Sequence, residues 1–172
     1  MHNRDAFFTQ IAKITHDFPF LSALTIRIRT PEVGVFDAYT YDWTARTAAE
    51  YFVNGNILIV NAHLFDHPEF FYSDDFNSAV KMHPMQFFAT HELGHAVDHY
   101  LQSHADEEYL RYYQYSDALC RGFREFSEYS AVSARECFAE MFTACYLSNA
   151  LQTNEKLRAF RRAVFGMNAR LK

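Results

Sequence analysis

Chain-breaking and cross-linking residues are scarce in this sequence of 172 residues, which has five glycines, four prolines and three cysteines. So little glycine and proline excludes a loop-dominated or disordered chain. The cysteines, Cys120, Cys137 and Cys145, are too few and odd in number for a disulfide framework, which predicts folding in a reducing compartment. No apolar run approaches the ~18 residues of a membrane span, and no charged-then-apolar leader opens the chain.

The excess of negative over positive charge is also small, because the formal net charge is only −5. So mild a charge argues against a general nucleic-acid binder. Several basic residues crowd into the C-terminal segment, where we interpret them as a solvated helix face and tail. They are Lys156, Arg158, Arg161, Arg162, Arg170 and Lys172. We expect a soluble protein, cytoplasmic or delivered by a route without a visible signal peptide, with no nucleic-acid or membrane partner. The oligomeric state stays open.

Apolar residues are plentiful, at 49% of the chain, with 18 Phe and 11 Tyr among them. After one N-terminal helix the strand signals come first and the other helices follow, which predicts a single α+β domain over residues 1–172 with a small twisted N-terminal sheet. The expected strands are Leu24–Arg29, Val33–Tyr41, Ala49–Val53 and Asn56–Val60, the last two joined by a two-residue turn at Asn54-Gly55. The expected helices are Asn3 (as the cap) to about His16, Pro84 to about Leu101, Asp106–Cys120, Ser133 to about Asn149, and Glu155–Phe165, ended by Gly166.

One of these helices contains an H-E-x-x-H motif, from His91 to His95. Residues four apart lie on one helix face about 6 Å apart, so the two imidazoles can bind one zinc ion. Glu92 points away from that face but can reach a water on the metal and act as the general base. Composition alone gives roughly 0.03 chance matches to the motif. Gly94 weakens a helix by about 1 kcal/mol relative to Ala, which indicates that a close approach is needed there.

The third protein ligand must come from elsewhere. His99 lies about 12 Å along the helix from His91, too far to share its ion. The metzincin pattern is excluded, because Asp98 and Leu101 occupy the places of its glycine and third histidine. The remaining candidates are carboxylates of a later helix: Glu125, Glu128, Glu136 and Glu140. Only the last two lie in a strongly apolar helix, where a bare carboxylate needs a partner.

Spacing alone does not separate Glu136 from Glu140, because the two are four apart and share a helix face. Either could bind zinc while the other orients a histidine ring. Glu136 also has a second interpretation. Ser133-Ala134-Arg135-Glu136 reads as a capping box, in which the Glu136 side chain returns to the Ser133 amide.

The segments His91–Asp98 and Glu136–Phe142 together resemble the catalytic domain of anthrax lethal factor, the clostridial Pro-Pro endopeptidases and the zincin-like domains of phage head-associated proteins. This resemblance implies a zincin-like fold, an active-site helix and one zinc ion per chain. It assigns the third ligand to Glu136 and supporting positions to Glu140 and Asp98. It also implies that Tyr129, seven residues before the ligand, hydrogen-bonds the reaction intermediate.

We therefore expect a zinc-dependent endopeptidase that hydrolyses polypeptides in extended conformation. Zincins hold such substrates along an edge strand, and Asn56 to Asn61 is the candidate for that strand. The alternative is that this segment is an ordinary core strand. Two other functions are considered. IrrE-like regulatory peptidases, which cleave a repressor, also carry H-E-L-G-H and a downstream glutamate. A non-catalytic zinc-binding module or phage structural module would have no need of Glu92 and Tyr129.

Overall fold

The computed structural model describes residues 2–30, 47–68, 83–104, 129–147 and 155–170. These form a mixed α+β domain, as predicted. The helices are α1 (Asn3–Asp17), α2 (His63–Asp66), α3 (Pro84–His104), α4 (Ala134–Leu147) and α5 (Glu155–Arg170), with 3₁₀ turns at Pro19–Ala23 and Tyr129–Ala131. The strands are β1 (Thr25–Arg29), β2 (Ala49–Phe52) and β3 (Ile57–Asn61). The expected strand Val33–Tyr41 and helix Asp106–Cys120 lie outside the described residues.

Helix α1 packs against α3, and its residues Phe7, Ile11 and Ile14 are buried. The spacing of these residues places them on one face, as the sequence indicated. The expected cap is wrong, however: His2 stands at the cap position without a side-chain hydrogen bond, and Asn3 is already helical. The Asn3 side chain instead donates a hydrogen bond to the Phe65 carbonyl at 2.9 Å and ties α1 to α2.

The sheet has the order β1-β3-β2, with β3 parallel to β1 and antiparallel to β2. The expectation that Asn56 to Asn61 forms an edge strand is therefore wrong, because β3 is the central strand. All five of its residues are buried. Its unbroken apolar run, Ile57 to Val60, is typical of a strand covered on both faces, whereas a half-exposed edge strand alternates.

The β2–β3 hairpin is present, but its turn is longer than predicted. The register pairs Phe52 with Ile57, so four residues, Val53 to Asn56, form the loop. The positive φ angles fall on Gly55 (98°) and Asn56 (52°), one place later than expected. Glycine and asparagine are the residues that adopt this conformation most readily.

Helices α3 and α4 approach each other closely at Gly94. A Cβ on Gly94 would lie 3.0 Å from the Ala139 Cα and 3.3 Å from Cδ1 of Phe142. The glycine therefore permits the close approach that its presence in a helix predicted. Because Gly94 lies between His91 and His95, the contact also brings α4 against the motif face of α3.

Helix α5 continues through Gly166 to Arg170, so Gly166 does not end it. Among the residues that the structure describes, no atom would lie within 4 Å of a Cβ on Gly166. Arg158, Arg161 and Arg162 are exposed, as expected of a solvated helix face.

Cys137 is disulfide-bonded, while Cys145 is a free thiol. The cysteine count did not predict this bond, and the compartment stays a prediction. No described helix combines the length and apolar character needed to cross a bilayer.

Candidate metal centre

The motif residues of α3 lie together in the interior, with His91, Glu92 and His95 each less than 9% exposed. The two imidazole rings are 4.9 Å apart between centroids and almost perpendicular, at 88°. Buried imidazoles on adjacent turns of one helix can direct nitrogen atoms at a common point. The sequence prediction that His91 and His95 converge is therefore confirmed as geometry.

Glu136 of α4 completes this arrangement. Its Oε2 lies 3.1 Å from Nε2 of His91 and 3.3 Å from Nε2 of His95. Ligand atoms at about 2.0–2.1 Å from a tetrahedral zinc ion would be roughly 3.3 Å apart. All three ligand atoms lie within 4.8 Å of one another. The donor set, two imidazoles and one carboxylate, therefore fits a zinc ion in both chemistry and spacing.

The start of α4 explains how the Glu136 side chain reaches the histidines. The Ser133 Oγ accepts a hydrogen bond from the Glu136 amide at 3.1 Å, so Ser133 caps the helix as predicted. The carboxylate of Glu136 points to the two imidazoles rather than back to Ser133. The other half of the capping box, in which the Glu136 side chain would return to the Ser133 amide, is therefore wrong. The Glu136 side chain instead contacts the two histidines.

Glu140 lies one turn further along α4 and is buried, at 1% exposure. Its Oε1 is 2.8 Å from Nδ1 of His91, although the approach is too oblique for an aligned hydrogen bond. Glu136 thus faces both Nε2 atoms, while Glu140 lies against the opposite nitrogen of one ring. This division favours Glu136 as the ligand and Glu140 as the support. Asp98 is also buried, and its supporting role stays a prediction.

The ionisable side chains of the cluster strongly shift one another's pKa values. Burial lowers the pKa of His91, but the carboxylates of Glu136 and Glu140 outweigh burial and raise that pKa to about 10. The pKa of Glu136 falls well below its usual range, because the contacts with His91 and His95 outweigh its partial burial. Burial lowers the pKa of His95, which the contact with Glu136 only partly offsets. His95 can therefore stay neutral, as a metal ligand must.

Glu92 lies beside the cluster but outside the ligand set. Burial raises the pKa of its carboxyl to about 8, against the lowering effect of His91. A base whose pKa lies near neutrality is suited to accept and release a proton. The amide of Tyr51, on β2, also faces the Glu92 carboxyl and lowers its pKa slightly.

Tyr129 stands at the open side of the cluster. Its ring centroid is 5.9 Å from that of His91, and the residue is 53% exposed. Burial on its inner side, together with the nearby Glu136 and Glu92 carboxylates, raises the pKa of its hydroxyl to about 12. The hydroxyl therefore keeps its proton at neutral pH and can donate a hydrogen bond.

His99 is not part of the cluster. Its Nδ1 lies 3.2 Å from the Tyr51 hydroxyl, which agrees with its expected place outside the ligand set. Sequence reasoning missed two residues near the site, Tyr51 and Arg135. Nη2 of Arg135 donates a hydrogen bond to the Tyr51 carbonyl at 3.1 Å. These residues are 84 positions apart, so no local pattern could have paired them.

Comparison of the chain with protein-family models, with curated proteins and with solved structures found no match. The function must therefore be inferred from the residues of the site.

Proposed function

We propose that this protein is a zinc-dependent endopeptidase. The observation that carries the proposal is the position of Glu136 Oε2 between Nε2 of His91 and Nε2 of His95, at 3.1 and 3.3 Å. A carboxylate and two imidazoles leave one of four tetrahedral positions open, which is the arrangement of catalytic rather than structural zinc sites. The resemblance to the lethal factor family agrees with this set of residues.

His91, His95 and Glu136 would hold the ion, and Glu140 would keep the His91 ring oriented. When bound, zinc lowers the pKa of a water molecule and polarises a peptide carbonyl. Within the described part of the chain, the buried Nδ1 of His95 has no hydrogen-bond partner, while its Nε2 contacts the Glu136 carboxylate.

Glu92 would take the proton of the attacking water and pass it to the leaving amine. Its carboxyl is suited to both steps, because a pKa of about 8 allows either protonation state near neutral pH. A solely structural metal site would not need a buried carboxyl next to the ligand set, where burial opposes its charge.

Tyr129 would donate a hydrogen bond to the peptide oxygen as that oxygen gains negative charge. Its exposure and the partial exposure of the Glu136 side chain, 20%, mark the side from which a polypeptide would enter. The substrate would be held at this open side and not along β3, which is buried in the middle of the sheet.

The test is a peptidase assay with metal analysis on the purified chain. We expect about one zinc ion per chain and cleavage of an unfolded protein substrate that a chelator stops. In Glu92→Gln the zinc content and fold should persist, while activity falls below about a tenth of the parent, because the base is lost and no ligand is. A zinc-loaded parent that cleaves none of a broad peptide library would contradict the proposal and support a non-catalytic module.

A further inference from the structure

Tyr51 connects several parts of the site through separate chemical groups. Its side chain is buried, and its hydroxyl lies 3.1 Å from Oδ1 of Asn56 and 3.2 Å from Nδ1 of His99. Its carbonyl accepts the hydrogen bond from Arg135, and its amide faces the Glu92 carboxyl. One residue of β2 thus contacts the hairpin turn, α3 and α4.

The direction of the Tyr51 backbone follows from the strand register. The Asn61 amide of β3 donates a hydrogen bond to the Ala48 carbonyl at 2.9 Å. Backbone groups of successive residues in an antiparallel strand point to alternate sides, so those of Tyr51 point away from β3. Both would be unpaired at that edge without a partner, and the two partners they face are Arg135 and Glu92.

Arg135 occupies the first turn of α4, next to the proposed ligand Glu136. Its hydrogen bond to Tyr51 joins the ligand-bearing helix to the strand whose amide faces the general base. We propose that Arg135 is a positioning residue, which holds β2 so that the Tyr51 amide orients the carboxylate of Glu92. This inference rests on the proposed peptidase function.

Loss of the Arg135 link would leave the Tyr51 carbonyl unpaired and allow the end of β2 to move away from α3. Glu92 would then sample orientations from which it cannot take the proton of the water. Displacements of about 1 Å in a catalytic group lower rates by about 100-fold. Because Arg135 acts through Tyr51, its loss should lower kcat and leave KM almost unchanged.

The experiment compares Arg135→Met, which keeps the length of the side chain but not its donors, with Arg135→Lys, which keeps one donor. Arg162→Met, an exposed arginine of α5, is the matched control. We expect kcat to fall about 10- to 100-fold in Arg135→Met, with KM within about twofold and full zinc content. Arg135→Lys should recover most of the rate, and Arg162→Met should match the parent.

A second readout does not need activity. Amide hydrogen exchange of Tyr51 should accelerate at least about tenfold in Arg135→Met and return towards the parent value in Arg135→Lys, because the strand edge opens more often. The Ile59 amide, in the central strand, serves as the internal reference.

Three results for Arg135→Met would overturn the inference. The first is an unchanged kcat, and the second is an unchanged rate of hydrogen exchange at the Tyr51 amide. The third is a raised KM at constant kcat, because this result would place Arg135 in contact with the substrate. An inactive parent with fast Tyr51 exchange in Arg135→Met would instead overturn the peptidase proposal alone, since the positioning link would still be present.

Discussion

Nδ1 of His91 lies 2.8 Å from Oε1 of Glu140, on the opposite nitrogen of the ring from the contact with Glu136. One helix therefore supplies carboxylates to both nitrogens of the same imidazole, one turn apart. A carboxylate behind a ligating histidine fixes the orientation of the ring and increases its basicity. The two glutamates of α4 consequently have different expected roles, which mutations can separate.

The first prediction ranks these glutamates by zinc affinity. Glu136→Ala removes a ligand and should abolish tight binding, whereas Glu140→Ala should weaken binding about 10- to 100-fold, as the loss of an orienting group does. Glu140→Gln, which keeps the side-chain size, should fall between Glu140→Ala and the parent. Competition with a chromophoric chelator measures all of these. If Glu140→Ala lost more affinity than Glu136→Ala, the ligand assignment would be reversed.

The second prediction concerns Tyr129, whose hydroxyl keeps its proton because its pKa is about 12. Tyr129→Phe removes a donor that acts mainly in the transition state, so kcat should fall about 10²–10³-fold with KM and zinc content nearly unchanged. Because Tyr129 is 53% exposed, the melting temperature of the variant should differ little from that of the parent protein. A normal kcat would remove Tyr129 from the catalytic residues.

A third prediction compares two helical glycines. Gly94→Ala forces a methyl group to within 3.0 Å of the Ala139 backbone and should destabilise the protein by about 1–3 kcal/mol. Gly166→Ala meets open space and should stabilise it by up to about 1 kcal/mol through helix propensity. Urea denaturation measures both changes. Equal effects in the two variants would show that the α3–α4 contact is looser than the structure indicates.

The fourth prediction concerns pH and the metal-free chain. His91 has a pKa of about 10 in the folded state against 6.5 in the unfolded state, so its protonation contributes stability that is complete below pH 6.5 and lost as the pH rises through 10. The raised pKa of Glu92 acts in the same direction, between 4.5 and about 8. The free energy of unfolding of chelator-treated protein should therefore fall from pH 7 to pH 10.

Urea denaturation across that pH range tests this dependence. His91→Asn should reduce the slope, since the main titrating group is gone. A metal-free parent whose stability rose between pH 7 and pH 10 would contradict the inferred charge of His91.

The sequence predicted those features that depend on local pattern. The helical register brought His91 and His95 together, Ser133 capped α4, and Gly94 indicated a close contact before any partner was known. The choice between Glu136 and Glu140 was different, because both occupy one face. It depends on how α4 is rotated against α3, which the packing at Gly94 determines.

The errors have equally local causes. Asn56 to Asn61 was interpreted as an edge strand because zincins hold substrates along such a strand, whereas the unbroken apolar run of β3 is typical of the central strand that it forms. Gly166 was interpreted as a helix end, yet a glycine inside a helix costs only about 1 kcal/mol, which the rest of α5 can absorb. Tyr51 and Arg135 meet only through tertiary packing, so no spacing rule could identify them.

The proposed ligands come from two helices, and His95 and Glu136 are 41 positions apart in the chain. An ion that binds only the folded chain would cross-link these segments and raise the free energy of unfolding by about 1.4 kcal/mol for each tenfold excess of free metal over its dissociation constant. The abundance of the folded protein would therefore follow the supply of zinc in its surroundings. Zinc starvation would therefore lower the amount of folded protein, through unfolding and degradation, in addition to removing the proposed activity.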